Sequence, residues 1–210
     1  MSHDSSSGTE PANLTKNLTK VSESDWILVE KINMDDVLFL KKSVSTLVRN
    51  FNIESCKHNK STKGENAKQY DLFNYLHDPR YGIQLLNKIK FEIQKSLVRE
   101  NKMDTHKQLN LKSAWTVLGY ENSFHTIHRH NQRACNHIAT IIYLSVPEVV
   151  DSIRSGAFYA ILQDSDKENF NFIHFPKVGD ILIFPNWVYH GTEPQAIGLR
   201  QTLNLDFEIV

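Results

Sequence analysis

The feature that most constrains the fold of this chain is a change of sequence texture near residue 113. From "SAWTVLGY" onward the chain consists of short segments rich in β-branched and aromatic residues, separated by residues typical of turns. These segments are "HIATIIYLSV", "GAFYAIL", "FNFIHF", "GDILIFP" and "LRQTLNLDFEIV". Five or more short strands after a helical half predict a double-sheet jelly-roll or cupin-type barrel with helices packed on its outside. The expected fold class is α+β.

The N-terminal half is expected to supply the supporting helices. Residues 1–22 are rich in Ser, Thr, Asn and Lys and bury too little apolar surface to fold, so we expect a disordered tail. Asn33, followed by two acidic residues, predicts a helix start, and this helix should run to about Arg49. Apolar residues at helical spacing predict a second helix from Arg80 to about Glu100. The chain is therefore divided into a disordered tail (1–22), a helical support region of the same domain (23–112) and a barrel core (113–210).

Net charge and hydropathy limit the kinds of binding partner that we expect for this chain. Lys plus Arg and Asp plus Glu each total 24, so the formal net charge is zero and no basic surface indicates nucleic acid. No run approaches the roughly 18 apolar residues needed to span a bilayer, and the first residues lack an apolar signal core. Two cysteines without CxxC spacing fit a reducing compartment. We expect a cytoplasmic protein that binds a small-molecule or peptide substrate, without nucleic acid or membrane.

Three histidines fall within six residues in "SFHTIHRHN", and they are candidate metal ligands. Residues two apart on an extended segment point to the same side, so His128 and His130 can converge on one ion, whereas His125 is expected to point away. A third ligand must come from elsewhere, and His190, at the end of a later strand, is the candidate. The alternative is a surface pair hydrogen-bonded to a loop. The other histidines of this half are interpreted as structural or rim residues: His125, His137 and His174.

Arg200 is a candidate ligand-binding residue on the last strand. Polar and apolar residues alternate there, so the polar side chains share one face. These are Arg200, Thr202, Asn204 and Asp206. A guanidinium aimed into a barrel needs a counter-ion, and a ligand carboxylate suits its planar fork, with the Thr202 hydroxyl as a second donor. The alternative is that Arg200 pairs with Asp206 or another acid at the rim.

The order of these motifs resembles a known enzyme family. The stretches "FHTIHRHN", "IIYLSVP", "SGAFYAIL", "GDILIFPNWVYH" and "GLRQTLNLDF" resemble the iron(II)- and 2-oxoglutarate-dependent oxygenases. The resemblance covers about residues 113–208 and is greatest to a bacterial and phage subgroup with an H-x-H motif. It implies a double-stranded β-helix that uses iron(II), with 2-oxoglutarate as cosubstrate and O2 as oxidant.

The resemblance also implies a set of metal ligands. His128 matches the first metal-binding histidine of the family and His190 the distal one. His130 stands where the wider superfamily has a carboxylate, and two interpretations are open. His130 is either a third, neutral ligand, which we favour, or it turns aside and water fills the position. No catalytic residue beyond the metal ligands is implied.

Three further residues are implied in binding the cosubstrate. Arg200 matches the residue that pairs with the distal carboxylate of 2-oxoglutarate, and Thr202 matches its hydroxyl neighbour. Tyr143 matches a strand tyrosine whose phenol reaches the same carboxylate, although an aromatic residue that only packs on the sheet is an equal alternative.

Three functions are compatible with these residues. The first is a dioxygenase that hydroxylates a protein side chain or a small metabolite and converts 2-oxoglutarate to succinate and CO2. The second is a three-histidine dioxygenase of cupin type that does not use 2-oxoglutarate, in which Arg200 holds a substrate carboxylate. The third is a non-catalytic, metal-binding jelly roll.

Overall fold

The barrel is built from two antiparallel sheets whose inner faces line a common pocket. The computed structural model describes residues 18–56, 62–64, 67–130, 136–147, 155–164 and 166–210. The first sheet has seven strands in the order β1-β2-β10-β7-β12-β5-β4, and the second has five in the order β3-β6-β11-β8-β9. The strands are β1 (Leu18–Lys20), β2 (Trp26–Lys31), β3 (Thr62–Lys63), β4 (Lys68–Asp71), β5 (Leu109–Gly119), β6 (Phe124–His128), β7 (His137–Ser145), β8 (Phe158–Gln163), β9 (Asn169–His174), β10 (Asp180–Pro185), β11 (Tyr189–Thr192) and β12 (Arg200–Ile209).

Two helices cover the outer face of the seven-stranded sheet. Helix α1 (Met34–Asn50) begins where its N-cap predicts, because the Asn33 side chain accepts a hydrogen bond from the Asp36 amide at 2.8 Å. Helix α2 (Ile83–Arg99) begins three residues later than predicted. The Asp78 carboxylate accepts hydrogen bonds from the amides of Arg80 and Tyr81, which holds residues 78–82 in a turn. The described chain contains no helix long and apolar enough to cross a membrane.

Strand β12 divides the hydrophobic core from the pocket. Its apolar side chains, Leu203, Leu205 and Phe207, join one cluster with the buried faces of both helices. Its polar side chains lie on the opposite face, as their alternation predicts. The helical support and the predicted barrel are therefore present as one layered structure.

The predicted tail is described only at its end. Residues 1–17 lie outside the described residues. Leu18–Lys20 form β1, which pairs with β2, and Leu18 packs against the core. Ordered structure thus begins before residue 22, because Leu18 finds an apolar surface that the local sequence does not reveal.

The turn that precedes His190 is anchored to the far end of the first sheet. Asp25 is buried, and its carboxylate accepts hydrogen bonds from the Trp187 indole at 3.1 Å and from the Gln163 amide at 2.8 Å. These bonds link the start of β2, the end of β8 and the β10–β11 turn. The position of β11 therefore depends on a contact between residues 162 positions apart.

Replacing Trp187 by Phe should lower the free energy of unfolding by about 2 kcal/mol, because a buried carboxylate loses one of its donors. Urea denaturation of the metal-free protein measures the change. The control is Tyr189→Phe, at an exposed ring on the neighbouring strand, which should change stability by less than about 0.5 kcal/mol. Equal effects of the two substitutions would contradict the anchoring role of Trp187.

Candidate metal and cosubstrate site

The pairing of β6 with β11 brings the predicted metal ligands together. His128 and His190 are direct cross-strand partners, and their ring centroids are 4.5 Å apart. His130 follows the end of β6, and its amide donates to the carbonyl of Asn186 at 3.0 Å. One nitrogen from each of His128, His130 and His190 lies within 4.8 Å of the other two. The structure therefore places all three side chains around one point.

Hydrogen bonds orient each of these rings in the same way. Nδ1 of His128 lies 2.8 Å from the carbonyl of Thr126, and Nδ1 of His190 lies 2.9 Å from the carbonyl of Val188. Nδ1 of His130 lies 2.6 Å from the Asp206 carboxylate. Because all three partners are acceptors, Nδ1 must carry the proton, which leaves the Nε2 lone pair free in each ring.

Burial keeps two of these rings neutral. His190 is 3% exposed and packs against the rings of Phe158 and Phe184, with centroids 5.8 and 4.8 Å away. Burial is the main cause that lowers the pKa of His190 well below its usual value, and the neighbouring histidines lower it further. Burial also lowers the pKa of His128. Since only the neutral imidazole binds a metal, the site is ready for a cation at neutral pH.

Asp206 is a site residue that was not predicted as a ligand or as the partner of one. Its Oδ1 accepts from His130, and its Oδ2 accepts from the Ser113 hydroxyl at 2.6 Å. Ser113 lies directly opposite Asp206 on β5, and the ring of Trp115 packs edge-on against His130 at 5.3 Å. The only available signal was the place of Asp206 on the polar face of β12. The alternative that Arg200 pairs with Asp206 is wrong, because Asp206 reaches the histidines instead.

The opposite end of the pocket contains a buried, positively charged side chain, that of Arg200. Arg200 is 4% exposed, and its nearest hydrogen-bond partners are the carbonyls of Gly156 and Ser123, each at 3.5 Å. No acidic side chain forms an ion pair with Arg200 in the described parts of the chain. A buried guanidinium with two long hydrogen bonds is costly unless a ligand supplies an anion.

Two hydroxyl groups accompany this arginine. Tyr143 on β7 is the cross-strand partner of Thr202, and its phenol oxygen is fully buried and has no hydrogen-bond partner among the described residues. Burial raises the pKa of the Tyr143 phenol, which therefore stays protonated and able to donate. The Thr202 hydroxyl accepts from the Asn204 amide at 3.0 Å and retains its own proton. One cation and two hydroxyl protons thus suit a carboxylate.

A single pocket joins the two ends, and its walls include apolar residues from both sheets. Besides the three histidines, Arg200, Tyr143 and Thr202, the lining residues are Trp115, Val117, His125, Ile141, Phe158, Gly191, Thr192 and Asn204. Three convergent Nε2 lone pairs at one end fit a divalent transition metal, for which imidazole is a common ligand. All six residues predicted for the metal and the cosubstrate therefore line the same cavity.

His125 lies in this pocket wall, although a regular strand would direct it away. His128 pairs with His190, and His125 pairs with Thr192, so the four residues 125–128 on β6 lie opposite the three residues 190–192 on β11. This β-bulge reverses the alternation and turns His125 inward. Its Nε2 lies 2.9 Å from the Thr62 hydroxyl, and burial lowers its pKa to about 3.

The two remaining histidines lie outside the pocket, in keeping with the structural role expected of them. His174 Nε2 lies 2.9 Å from Asp180, and His137 Nε2 lies 3.8 Å from Glu208.

Comparison with protein families gives a match for the second half of the chain. Residues 113–204 match the family model described as "Putative 2OG-Fe(II) oxygenase". No curated protein matches the sequence.

Several solved structures have a similar arrangement of elements. The non-heme alpha ketoglutarate dependent carbocyclase SnoK from nogalamycin biosynthesis matches with a TM-score of 0.66 at 10% identity, covering 93% of this chain and 84% of SnoK. A prolyl hydroxylase from Trichoplax adhaerens, in complex with a hypoxia inducible factor peptide fragment, matches with 0.60 at 12% identity, covering 87% and 83%. HygX from Streptomyces hygroscopicus, with nickel, 2-oxoglutarate and hygromycin B bound, matches with 0.56 at 14% identity, covering 87% and 82%. At such identities the likeness concerns the fold, and it confirms the predicted double-stranded β-helix.

Replacing His190 by Ala should abolish tight metal binding, because two imidazoles remain where three converge. A titration of the metal-free protein with iron(II) under anaerobic conditions measures the affinity, and thermal unfolding checks that the variant is folded. The control is His106→Ala, at an exposed histidine distant in sequence from the cluster, which should keep the affinity of the original protein. Survival of iron affinity in His190→Ala would show that the ligand set is wrong.

Acid should destabilise the metal-free protein through its buried histidines. The pKa of His125 is about 3 in the folded state, against 6.5 for a free imidazole, so below pH 6.5 the unfolded chain binds more protons. The free energy of unfolding should therefore fall as the pH decreases from 6.5 toward 3, and less steeply in His125→Gln. Urea denaturation across this range measures the slope, with His106→Gln as the control. An unchanged slope in His125→Gln would contradict the neutral, buried state of His125.

Proposed function

Because residues 113–204 belong to the iron(II)- and 2-oxoglutarate-dependent oxygenases, a family of enzymes that use iron(II), 2-oxoglutarate and O2, we propose that this protein hydroxylates a C–H bond of its substrate. The reaction consumes 2-oxoglutarate and O2 and releases succinate and CO2. The substrate is a small molecule or a peptide side chain.

One observation favours this proposal over the alternatives. A single pocket has three convergent imidazoles at one end and a buried, unpaired arginine at the other. A metal alone needs only the first end, and a carboxylate alone needs only the second. A dicarboxylate that chelates the metal with its 2-oxo acid group and reaches Arg200 with its distal carboxylate uses both ends.

The residues that would hold iron(II) are His128, His130 and His190, through their Nε2 atoms. Iron(II) held there would supply the chemistry of O2 activation and 2-oxo acid decarboxylation. The protein fixes the rings in advance, since the Nδ1 proton of each is already bound by a carbonyl or by Asp206. No rotation of a ligand ring is then required when the metal enters.

Arg200, Tyr143 and Thr202 would hold the distal carboxylate of 2-oxoglutarate. The guanidinium offers a planar pair of donors, and the Tyr143 phenol gains the partner that it otherwise lacks. Both groups are already buried, so binding satisfies them without burying a further polar group of the protein. This end of the pocket therefore sets the orientation of the cosubstrate.

The middle of the pocket excludes water. Val117, Ile141 and Phe158 form apolar walls between the two polar ends. A low-polarity wall strengthens the attraction between a bound dianion and the two cationic ends of the cavity. It also keeps bulk water away from the reacting atoms.

The similar solved structures do not identify a substrate for this protein. The similar structures include one with a peptide fragment and one with hygromycin B. Exposed groups next to the metal ligands here include Arg129, whose guanidinium stacks on the Tyr189 ring at 4.9 Å. This rim can recognise either a small polar molecule or a peptide. Asn131, Gln132 and Arg133, which follow the histidine motif, lie outside the described residues.

The decisive experiment is an anaerobic titration of the metal-free protein with iron(II) and then 2-oxoglutarate. The chelate should give a visible charge-transfer band, and Arg200→Ala should weaken 2-oxoglutarate binding by about 2 kcal/mol or more, because a desolvated carboxylate loses its charged partner. The matched control is Arg129→Ala, which removes an exposed arginine close to the metal ligands and should leave this affinity unchanged. Equal affinities in the original protein and Arg200→Ala would contradict the assignment of Arg200.

Two other outcomes would replace the proposal. If iron binds but no charge-transfer band forms, the protein is a three-histidine dioxygenase that does not use 2-oxoglutarate. If zinc binds tightly and no oxygen is consumed with iron, the protein is a non-catalytic metal-binding barrel. Succinate formation that requires both iron and 2-oxoglutarate distinguishes the proposed enzyme from both alternatives.

A further inference from the structure

The metal ligands of this site lack the carboxylate that the related His-x-Asp or His-x-Glu motif provides, yet a carboxylate lies directly behind one of them. We infer that Asp206 is a positioning residue that supplies, through the ring of His130, the negative charge that a carboxylate ligand supplies by direct contact. This inference rests on the proposed function, because it concerns the same metal site.

The contact between the two residues is short and well defined. His130 Nδ1 and Asp206 Oδ1 are 2.6 Å apart, and both side chains are largely buried, with exposed fractions of 12% and 16%. The second carboxylate oxygen accepts from the Ser113 hydroxyl at 2.6 Å, so both oxygens of Asp206 are engaged. A carboxylate bound to Nδ1–H makes Nε2 of the same ring a better electron donor to a metal.

No lysine or arginine contacts Asp206 in the described parts of the chain. Its partners are the neutral ring of His130 and the Ser113 hydroxyl, whereas Glu208, two residues further along β12, contacts Lys112 at 3.3 Å. The field of a partly buried carboxylate is weakly screened by solvent. Asp206 therefore directs its charge at the histidine cluster and not at a lysine or arginine.

The charges of the loaded site balance only when Asp206 is included. A divalent metal and Arg200 bring three positive charges, and 2-oxoglutarate brings two negative charges. Asp206 supplies the remaining negative charge, as an Asp or Glu ligand does in a site with two histidines and one carboxylate. Because an unbalanced charge in a buried site is costly, the position of this carboxylate has changed while the total charge of the site has not.

A set of four proteins tests this inference: the original protein, Asp206→Asn, His130→Asp and the double variant His130→Asp/Asp206→Asn. The measurement is cobalt(II) affinity without 2-oxoglutarate, with thermal unfolding of each metal-free variant. Asp206→Asn alone should weaken binding about 10- to 100-fold, because the ligand ring loses its charged partner. His130→Asp alone should bind cobalt(II) to within about tenfold of the original protein, because its own carboxylate can contact the metal directly.

The double variant separates the effect of the carboxylate's negative charge on metal binding from a purely structural role of Asp206. It has one carboxylate, now able to contact the metal directly, so its affinity should return to within about tenfold of the original. Asp206→Asn thus weakens binding strongly when residue 130 is His and much less when residue 130 is Asp, which a purely structural role does not predict. The control is Glu208→Gln, a neighbouring carboxylate on the same strand, which should leave the affinity unchanged.

Losses that simply add in the double variant would overturn the inference, as would unchanged affinity in Asp206→Asn. If Asp206→Asn does not fold, His130→Asp alone decides, because a loss of more than about 100-fold would show that a carboxylate at position 130 cannot replace the His130–Asp206 pair. A different result contradicts the proposed function itself: the original protein fails to bind cobalt(II) at all. The two failures are therefore distinct.

Discussion

The pairing of β6 with β11 is the constraint on which the site depends. It sets His128 opposite His190, and its β-bulge turns His125 into the same pocket. His130, just past the end of β6, reaches the other two because its amide is held by the turn that precedes β11. The buried hydrogen bond from Trp187 to Asp25 fixes the position of that turn. The convergence of the three histidines is thus a consequence of strand register rather than of a local histidine motif.

Strand β12 distributes charge along the pocket. Asp206 lies at the end where a cation would bind, and Arg200 lies at the end where an anion would bind. Thr202 and Asn204 lie between them and are hydrogen-bonded to each other. A ligand that bridged a metal and Arg200 would therefore lie along β12, with one anionic group at Arg200 and the other at the metal. The arrangement favours a molecule with two anionic groups at fixed separation over one with a single carboxylate.

Local sequence patterns predicted the longer barrel strands, the two helices and the barrel, because each depends on alternation, helical spacing or a cap. The short strands β1, β3 and β4 were not predicted. The three metal-ligand candidates and the three cosubstrate-binding candidates were also predicted, and the structure brings them into one cavity. The bulge in β6 was not predictable, since it depends on a partner strand about sixty residues away. The role of Asp206 was not predictable either, because Asp206 contacts a histidine 76 residues away. The late start of α2 depended on one side chain, Asp78, that competes for backbone amides.

The last strand in chain order is also a central strand of its sheet. β12 lies between β7 and β5, so until it is inserted both neighbours expose an open edge and the helices lack part of their core. Without β12, Nδ1 of His130 would have no carboxylate to bind and the pocket would have no arginine. The hydrophobic core and the pocket therefore share one strand, which pairs with segments far from it in the sequence. Any opening of the structure that released β12 would remove part of the core and part of the pocket together.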